Sequence, residues 1–115
     1  MALQHSNITG NAEQTLVAAQ RVENTTTGKI DKTFDAGSIS SMSICNIHAT
    51  DSVWIELWLL DIATGALTYK ILFKTDIPVN TTVVLSNDEV SFDNVNYKMQ
   101  IQLSASDSTV DIIIK

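Results

Sequence analysis

The chain has 115 residues, 44% of them hydrophobic and 17% charged, with a formal net charge of −6. That is the size of one domain, long enough to bury roughly two thirds of the surface its unfolded form exposes. Seven Lys and Arg scattered among 13 Asp and Glu argue against nucleic acid as a partner, because affinity for a phosphate backbone needs clustered cations. No run approaches the roughly 18 apolar residues of a membrane span. The start, MALQHSNITGNAEQ, lacks the basic and apolar regions of an export signal, so neither a membrane nor the secretory route is expected.

Residues 1–37 read as an N-terminal arm, distinct from a domain over residues 38–115. The arm is polar and rich in Thr, Asn, Gln and Ala, with apolar side chains too scattered for a long amphipathic element. Residues 14–22 (QTLVAAQRV) suit a short strand or two turns of helix, and Thr25-Thr26-Thr27-Gly28 suits a turn. Leu3, Ile8, Leu16 and Val17 are the arm's candidate contacts, made to its own domain or to a neighbouring subunit.

Residues 39–47 begin the regular part, with Met42 and Ile44 on one parity and Ser41, Ser43, Cys45 and Ile47 on the other. Cys45 is the only cysteine, so no intrachain disulfide forms and a reducing assembly compartment is favoured. Without cationic neighbours it reads as a small buried hydrophobe. After the turn at 49–52, VWIELWLL (53–60) is the most apolar strand and is expected to be central. Val53, Ile55, Leu57 and Leu59 share one face; Trp54, Glu56 and Trp58 share the other. If that second face is wet, it is a subunit contact surface, or a platform on which a sugar ring stacks; if the arm covers it, it is neither.

DIATGA (61–66) reads as a hairpin loop with Gly65 at positive φ, leading into LTYKILF (67–73). Pro78 ends pairing or sits at an edge, TTVVL (81–85) is another strand, and SNDE (86–89) is an acidic loop. In residues 90–103, VSFDNVNYKMQIQL, the side chains Tyr97, Met99, Ile101 and Leu103 alternate with Lys98, Gln100 and Gln102, the pattern of a strand buried on one face. Asp93 stands four residues before Tyr97, the spacing of a tyrosine corner, and the two are assigned to such a structural corner. TVDIIIK (109–115) closes the sheet. Six or seven short strands joined by short turns predict an all-β fold, an antiparallel two-sheet sandwich of immunoglobulin-like or jelly-roll-like type.

The chain offers little chemistry. His5 and His48 lack neighbours at metal-ligand spacing, Asp88-Glu89 lack the alternation of a calcium loop, and neither a nucleophile elbow nor a phosphate-cradling glycine loop occurs. No catalytic residue, metal or cofactor is therefore expected. The glycosylation triplets at Asn7, Asn24 and Asn80 read as Thr-rich turns.

Two resemblances follow from these residues. Asp93, Tyr97 and Met99, with Cys45 and Trp58 upstream, resemble the late-strand and Cys-Trp pattern of immunoglobulin-like domains, with Met99 in place of the second cysteine. Residues 40–115 resemble small virion proteins of tailed bacteriophages, especially marine ones, through ICNIHATDSVWIELWLLD, the IP-x-N-T-T and SFDN-x-x-Y segments and VDIIIK. That second resemblance implies a structural component of the particle without enzymatic role, made in the host cytoplasm and placed on the virion. Its partners would be capsid, neck or tail subunits, met as a homo-oligomer or in many copies. A decoration or cement protein on the head is expected first and a neck or tail component second. A receptor- or carbohydrate-binding adhesion module is the alternative from another class. Trp54, Glu56 and Trp58 join Leu3, Ile8, Leu16 and Val17 as candidate subunit contacts.

Overall fold

The computed structural model describes residues 4–19, 22–23, 30–31 and 35–115. Their strands are β1 (Gln4–Thr9), β2 (Gln14–Val17), β3 (Val22–Glu23), β4 (Ile30–Asp31), β5 (Ser41–Asn46), β6 (Val53–Asp61), β7 (Thr68–Ile77), β8 (Thr82–Ser86), β9 (Tyr97–Leu103) and β10 (Thr109–Ile114). Among the described residues helix is confined to a 3-10 turn at Ala36–Ser38 and to α1 (Asn87–Val90), and no helix is long and apolar enough to cross a membrane.

Two four-stranded antiparallel sheets make the body. The first runs β1-β10-β5-β8 and the second β2-β9-β6-β7, while β3 and β4 pair with each other apart from both. Among consecutive strands of the two sheets only β6 and β7 pair directly; every other step crosses from one sheet to the other. This is the order of a jelly roll. An immunoglobulin domain would place its strands as ABED and CFG, so of the two expected types the structure takes the jelly roll.

Alternation builds the core. Met42 and Ile44 of β5, Val110, Ile112 and Ile114 of β10, Val53, Ile55 and Leu57 of β6, and Met99, Ile101 and Leu103 of β9 are all buried, two residues apart along each strand. Each such side chain contributes about 1.5–3 kcal/mol over leaving it in water. β10 lies between β1 and β5, so it is an interior strand of its sheet. β6 is flanked by β9 and β7, the central place expected of it.

The arm is corrected. β1 pairs with β10 from Gln4↔Ile114 to Thr9↔Thr109, and β2 pairs with β9, so a boundary at residue 37 cuts through both sheets. Ile8, Leu16 and Val17 are 6%, 5% and 0% exposed and belong to the core, which removes them as contacts to a neighbour. A bulge between Thr15 and Val17 is the reason two successive residues, Leu16 and Val17, are both buried. β1 escaped notice because an edge strand needs few apolar residues: besides Ile8, its inward positions carry Gln4 and Ser6. Gln4 Nε2 donates to the Leu16 carbonyl at 2.7 Å, tying one sheet's edge to the other's. Leu3 and the turn at Thr25-Thr26-Thr27-Gly28 lie outside the described residues.

Three smaller expectations also meet the structure. Gly65 has φ +67 in the β6–β7 loop, as its position demands. Residues 86–89 are more than an acidic loop: Glu89 Oε1 accepts from the Ser86 hydroxyl at 2.8 Å and from its N–H at 3.4 Å, a capping arrangement that opens α1 and buries Val90. Cys45 is half-buried on the outer face of the first sheet. Facing outward, it is neither the buried hydrophobe expected nor the core cysteine of an immunoglobulin pattern, although Met99 does point into the core from the other sheet.

Candidate functional site

The register of β6 against its two neighbours builds the most elaborate surface among the described residues, the outer face of the second sheet. Glu56 pairs with Gln102 and Trp58 with Gln100 across β9, and Trp58 pairs with Lys70 across β7. On that β7 side the register slips twice, and Lys74 adopts φ +49. Lys70 shares the face of Trp58 by direct pairing, and at the bulges Phe73 and Lys74 lie beside it and Trp54. Lys70 Nζ lies 4.2 Å from the Trp58 ring centroid and 5.8 Å from that of Phe73; Lys74 Nζ lies 5.7 Å from Trp54 and 5.6 Å from Phe73. Rings and ammonium groups thus alternate, each contact worth about 0.5–1 kcal/mol at an exposed site. Lys70 also reaches Glu56 Oε1 at 3.5 Å.

This packing changes what the two indoles do. Trp58 is 4% and Glu56 9% exposed, and Trp54 is half-buried. The three residues expected as an open contact surface do share an outer face, but Lys70 lies over Trp58, and Trp58 Nε1 donates to Gln100 Oε1 at 3.0 Å. A covered ring is no stacking platform. Beside it lies a hollow of about 460 Å³, lined by Glu13, Glu56, Trp58, Lys70, Gln100 and Gln102 together with the loop around Gly65. Sequence reasoning had placed Gln100 and Gln102 on one strand face but had no means of setting them against Trp58 and Glu56, because register is not written in the alternation. Lys70 was missed because its pairing opposite Trp58 is a matter of register, and Phe73 because, at opposite parity, it joins Lys70 and Lys74 only through the bulges.

Among the described residues four large apolar side chains are more than half exposed, and one of them, Phe73, belongs to the row just described. Leu67, Tyr69 and Phe73 are 53%, 52% and 63% exposed, and Val84 65%. They lie on or beside β7 and β8, the strands at the ends of the two sheets opposite β1 and β2.

The corner around Asp93 forms differently from expectation. Its carboxylate accepts from Asn96 Nδ2 at 2.7 Å and from the Val95 N–H at 3.0 Å. These bonds, Asn96 first, hold the carboxyl below its usual range. The Tyr97 N–H donates to the Asp93 carbonyl at 3.1 Å, while the Tyr97 ring meets Tyr69 edge-on at 6.0 Å. Among the described residues no bond from the phenol closes the turn; Asp93 itself does so. Next to it the buried Asn94 accepts from the Ala36 N–H at 3.1 Å.

His48, Asp51 and Asp107 bring three ligand-type atoms within 4.8 Å of one another. This corrects the expectation that His48 has no ligand-type neighbours: Asp51 reaches it from three residues on, and the fold brings in Asp107. The hydrogen bonds assign the ring: Nδ1 accepts from the N–H groups of Thr50 at 3.2 Å and Asp51 at 2.9 Å, so the proton sits on Nε2, which donates to Asp107 Oδ2 at 3.0 Å. A cation at Nε2 would need that proton removed while Nδ1 stays committed to the backbone. The cluster therefore works as a clamp between the β5–β6 and β9–β10 turns. The bond from His48 lowers the pKa of Asp107.

No family model matches the chain, and no curated protein matches it. Among solved structures it is similar to the infectious bursal disease virus VP2 subviral particle, at 10% identity and a TM-score of 0.33, over 96% of this chain and 30% of that one. It is also similar to the structure of the infectious bursal disease virus Gt strain, at 11% identity and a TM-score of 0.37, over 97% of this chain. The chain spans 28% of the length of the latter.

Proposed function

We propose that the chain is a virion structural protein without enzymatic role, in the first place a bacteriophage capsid decoration or cement protein or another head-associated subunit. It acts by offering surfaces to capsid subunits, to its own copies, or to both. The observation that carries this reading is the exposure of Leu67, Tyr69 and Phe73 on and beside β7 and of Val84 on β8, all more than half exposed, along the edge strands of the two sheets. Apolar side chains left in the open on a rigid scaffold mark a contact surface. Lysines and bulges on β7 discourage strand-to-strand pairing there, so side chains make the contact. The phage-like segments at 77–82 and 91–97 support the same reading from the sequence.

Quantifying the chain in purified particles tests it. A decoration subunit is present in many copies across the shell, a neck or tail component in the low symmetric number of that structure, and absence from particles overturns the proposal. Phe73→Asp combined with Val84→Asp is expected to leave the isolated chain folded and to abolish incorporation; unchanged incorporation would move the contact surface elsewhere.

A further inference from the structure

The hollow on the outer face of the second sheet contains polar atoms that the fold has oriented and left unused. Trp58 Nε1 holds Gln100 by its oxygen, which leaves the Gln100 Nε2 hydrogens unpaired among the described residues. Gln102 Nε2 donates to the Asn11 carbonyl at 3.0 Å, which leaves its Oε1 unpaired in the same sense. Lys70 approaches Glu56 at Oε1, so Oε2 is open, and the exposed Glu13 carboxylate completes the rim. Glu56 is nearly buried and both glutamines are half-buried, so these groups are held rather than waving in solvent. Each amide is locked in one orientation by a bond to the protein.

We propose that this hollow binds a neutral saccharide through its hydroxyl groups. Three acceptors, on Glu13, Glu56 and Gln102, call for donors, while Gln100 Nε2 and the Lys70 ammonium call for acceptors. A hydroxyl is both and carries no charge. Anionic ligands, phosphates included, would meet two carboxylates on a chain of net charge −6. A hollow of about 460 Å³ lies in the size range of small-ligand sites, and groups already fixed in place cost little ordering on binding. Trp58 acts here as a positioning residue: it aims Gln100 and does not stack on the sugar, because Lys70 occupies its face.

The experiment is saturation-transfer NMR with titration calorimetry on the full chain. The probes are neutral disaccharides of glucose, galactose, mannose and N-acetylglucosamine, with spermidine and inorganic phosphate alongside. At least one disaccharide is expected to bind, and Gln102→Ala and Glu13→Ala are each expected to weaken it about tenfold, the worth of one hydrogen bond. Thermal melts check that each variant is folded; should Gln102→Ala not fold, Glu13→Ala decides, since that side chain is exposed and outside the strands. Failure of every disaccharide to bind, binding that a folded variant leaves unchanged, or binding of spermidine in place of sugars overturns the proposal. Copy number in the particle has no bearing on this result, so the two readings stand or fall separately.

Discussion

The two sheets have inner faces of the same kind and outer faces of different kinds. Inward, both present mostly Ile, Val, Leu and Met at alternate positions of their interior strands. Outward, the first sheet carries short, mostly neutral side chains: Ser41, Ser43 and Cys45 on β5, Thr82 and Val84 on β8, and Ile113 on β10, with Asn7 of β1 donating to Asp111 at 2.9 Å. The second sheet's outer face has three rings, two ammonium groups and a nearly buried carboxylate, interlocked above β6. Closure of a sandwich dictates the inner faces, whereas nothing in closure asks for a buried Trp58 or Glu56 on the outside. What distinguishes the chain from a generic jelly roll therefore lies on its surface.

The largest expected effect comes from the edges both faces share. Deleting residues 1–37 removes β1 from one sheet and β2 from the other, together with Ile8, Leu16 and Val17 from the core. The product is expected to show no cooperative unfolding transition by circular dichroism, in contrast to an arm distinct from the 38–115 domain, which the composition suggested. A sharp melt from the truncated chain would show that the six remaining strands suffice.

Next come single residues on opposite sides of the second sheet. Ile101→Ala opens the inner face and is expected to cost about 2–5 kcal/mol in urea denaturation. Trp58→Ala lies on the outer face, yet with 4% exposure it is expected to cost about 3 kcal/mol, because it also strands Gln100 and uncovers Lys70. If Trp58→Ala proves neutral, the outer face is ornamental to stability and the contrast between the sheets loses its energetic half.

Much of this was legible in the sequence where period-two alternation is strong. β6, β9 and β10 announce themselves, Pro78 stops β7 at Ile77, and Gly65 marks its loop. β1 was illegible because QHSNIT buries only Ile8 fully, and an edge strand asks for one good anchor and not a stripe. The site was half legible: the parity of Trp54, Glu56 and Trp58 was plain, but their cover was not, since it depends on β7 bulges and on the β6–β9 register. Asp107 beside His48 is a tertiary accident of two turns, invisible to local spacing.

The turns linking the sheets give a smaller, pH-dependent effect. Asp107 has its pKa lowered below 3.8 by the hydrogen bond from His48, and Asp93 by those from Asn96 and Val95. A carboxyl depressed in the folded state adds stability above its unfolded value and loses it as pH falls through the folded one. Asp107→Asn should therefore be less stable than the parent at neutral pH, and the two melting temperatures should converge as pH drops below 3.8. Curves that stay parallel throughout that acid range would show that the clamp adds nothing through the charge of Asp107.

The smallest expected effect is the sharpest test of the contrast. Val84 is 65% exposed and opposes Ser43 on the plain face of the first sheet, so Val84→Ser removes almost no buried area. Its stability in urea should lie within about 0.5 kcal/mol of the parent. A single exposed Val is ordinary on a strand, so only its effect on incorporation can show that something covers it. If the isolated Val84→Ser chain is unaltered while its incorporation into particles falls, the plain face and its β8 edge form a contact that the free protein does not need. A loss of stability comparable to that of Trp58→Ala would instead mean that both outer faces serve the fold alone.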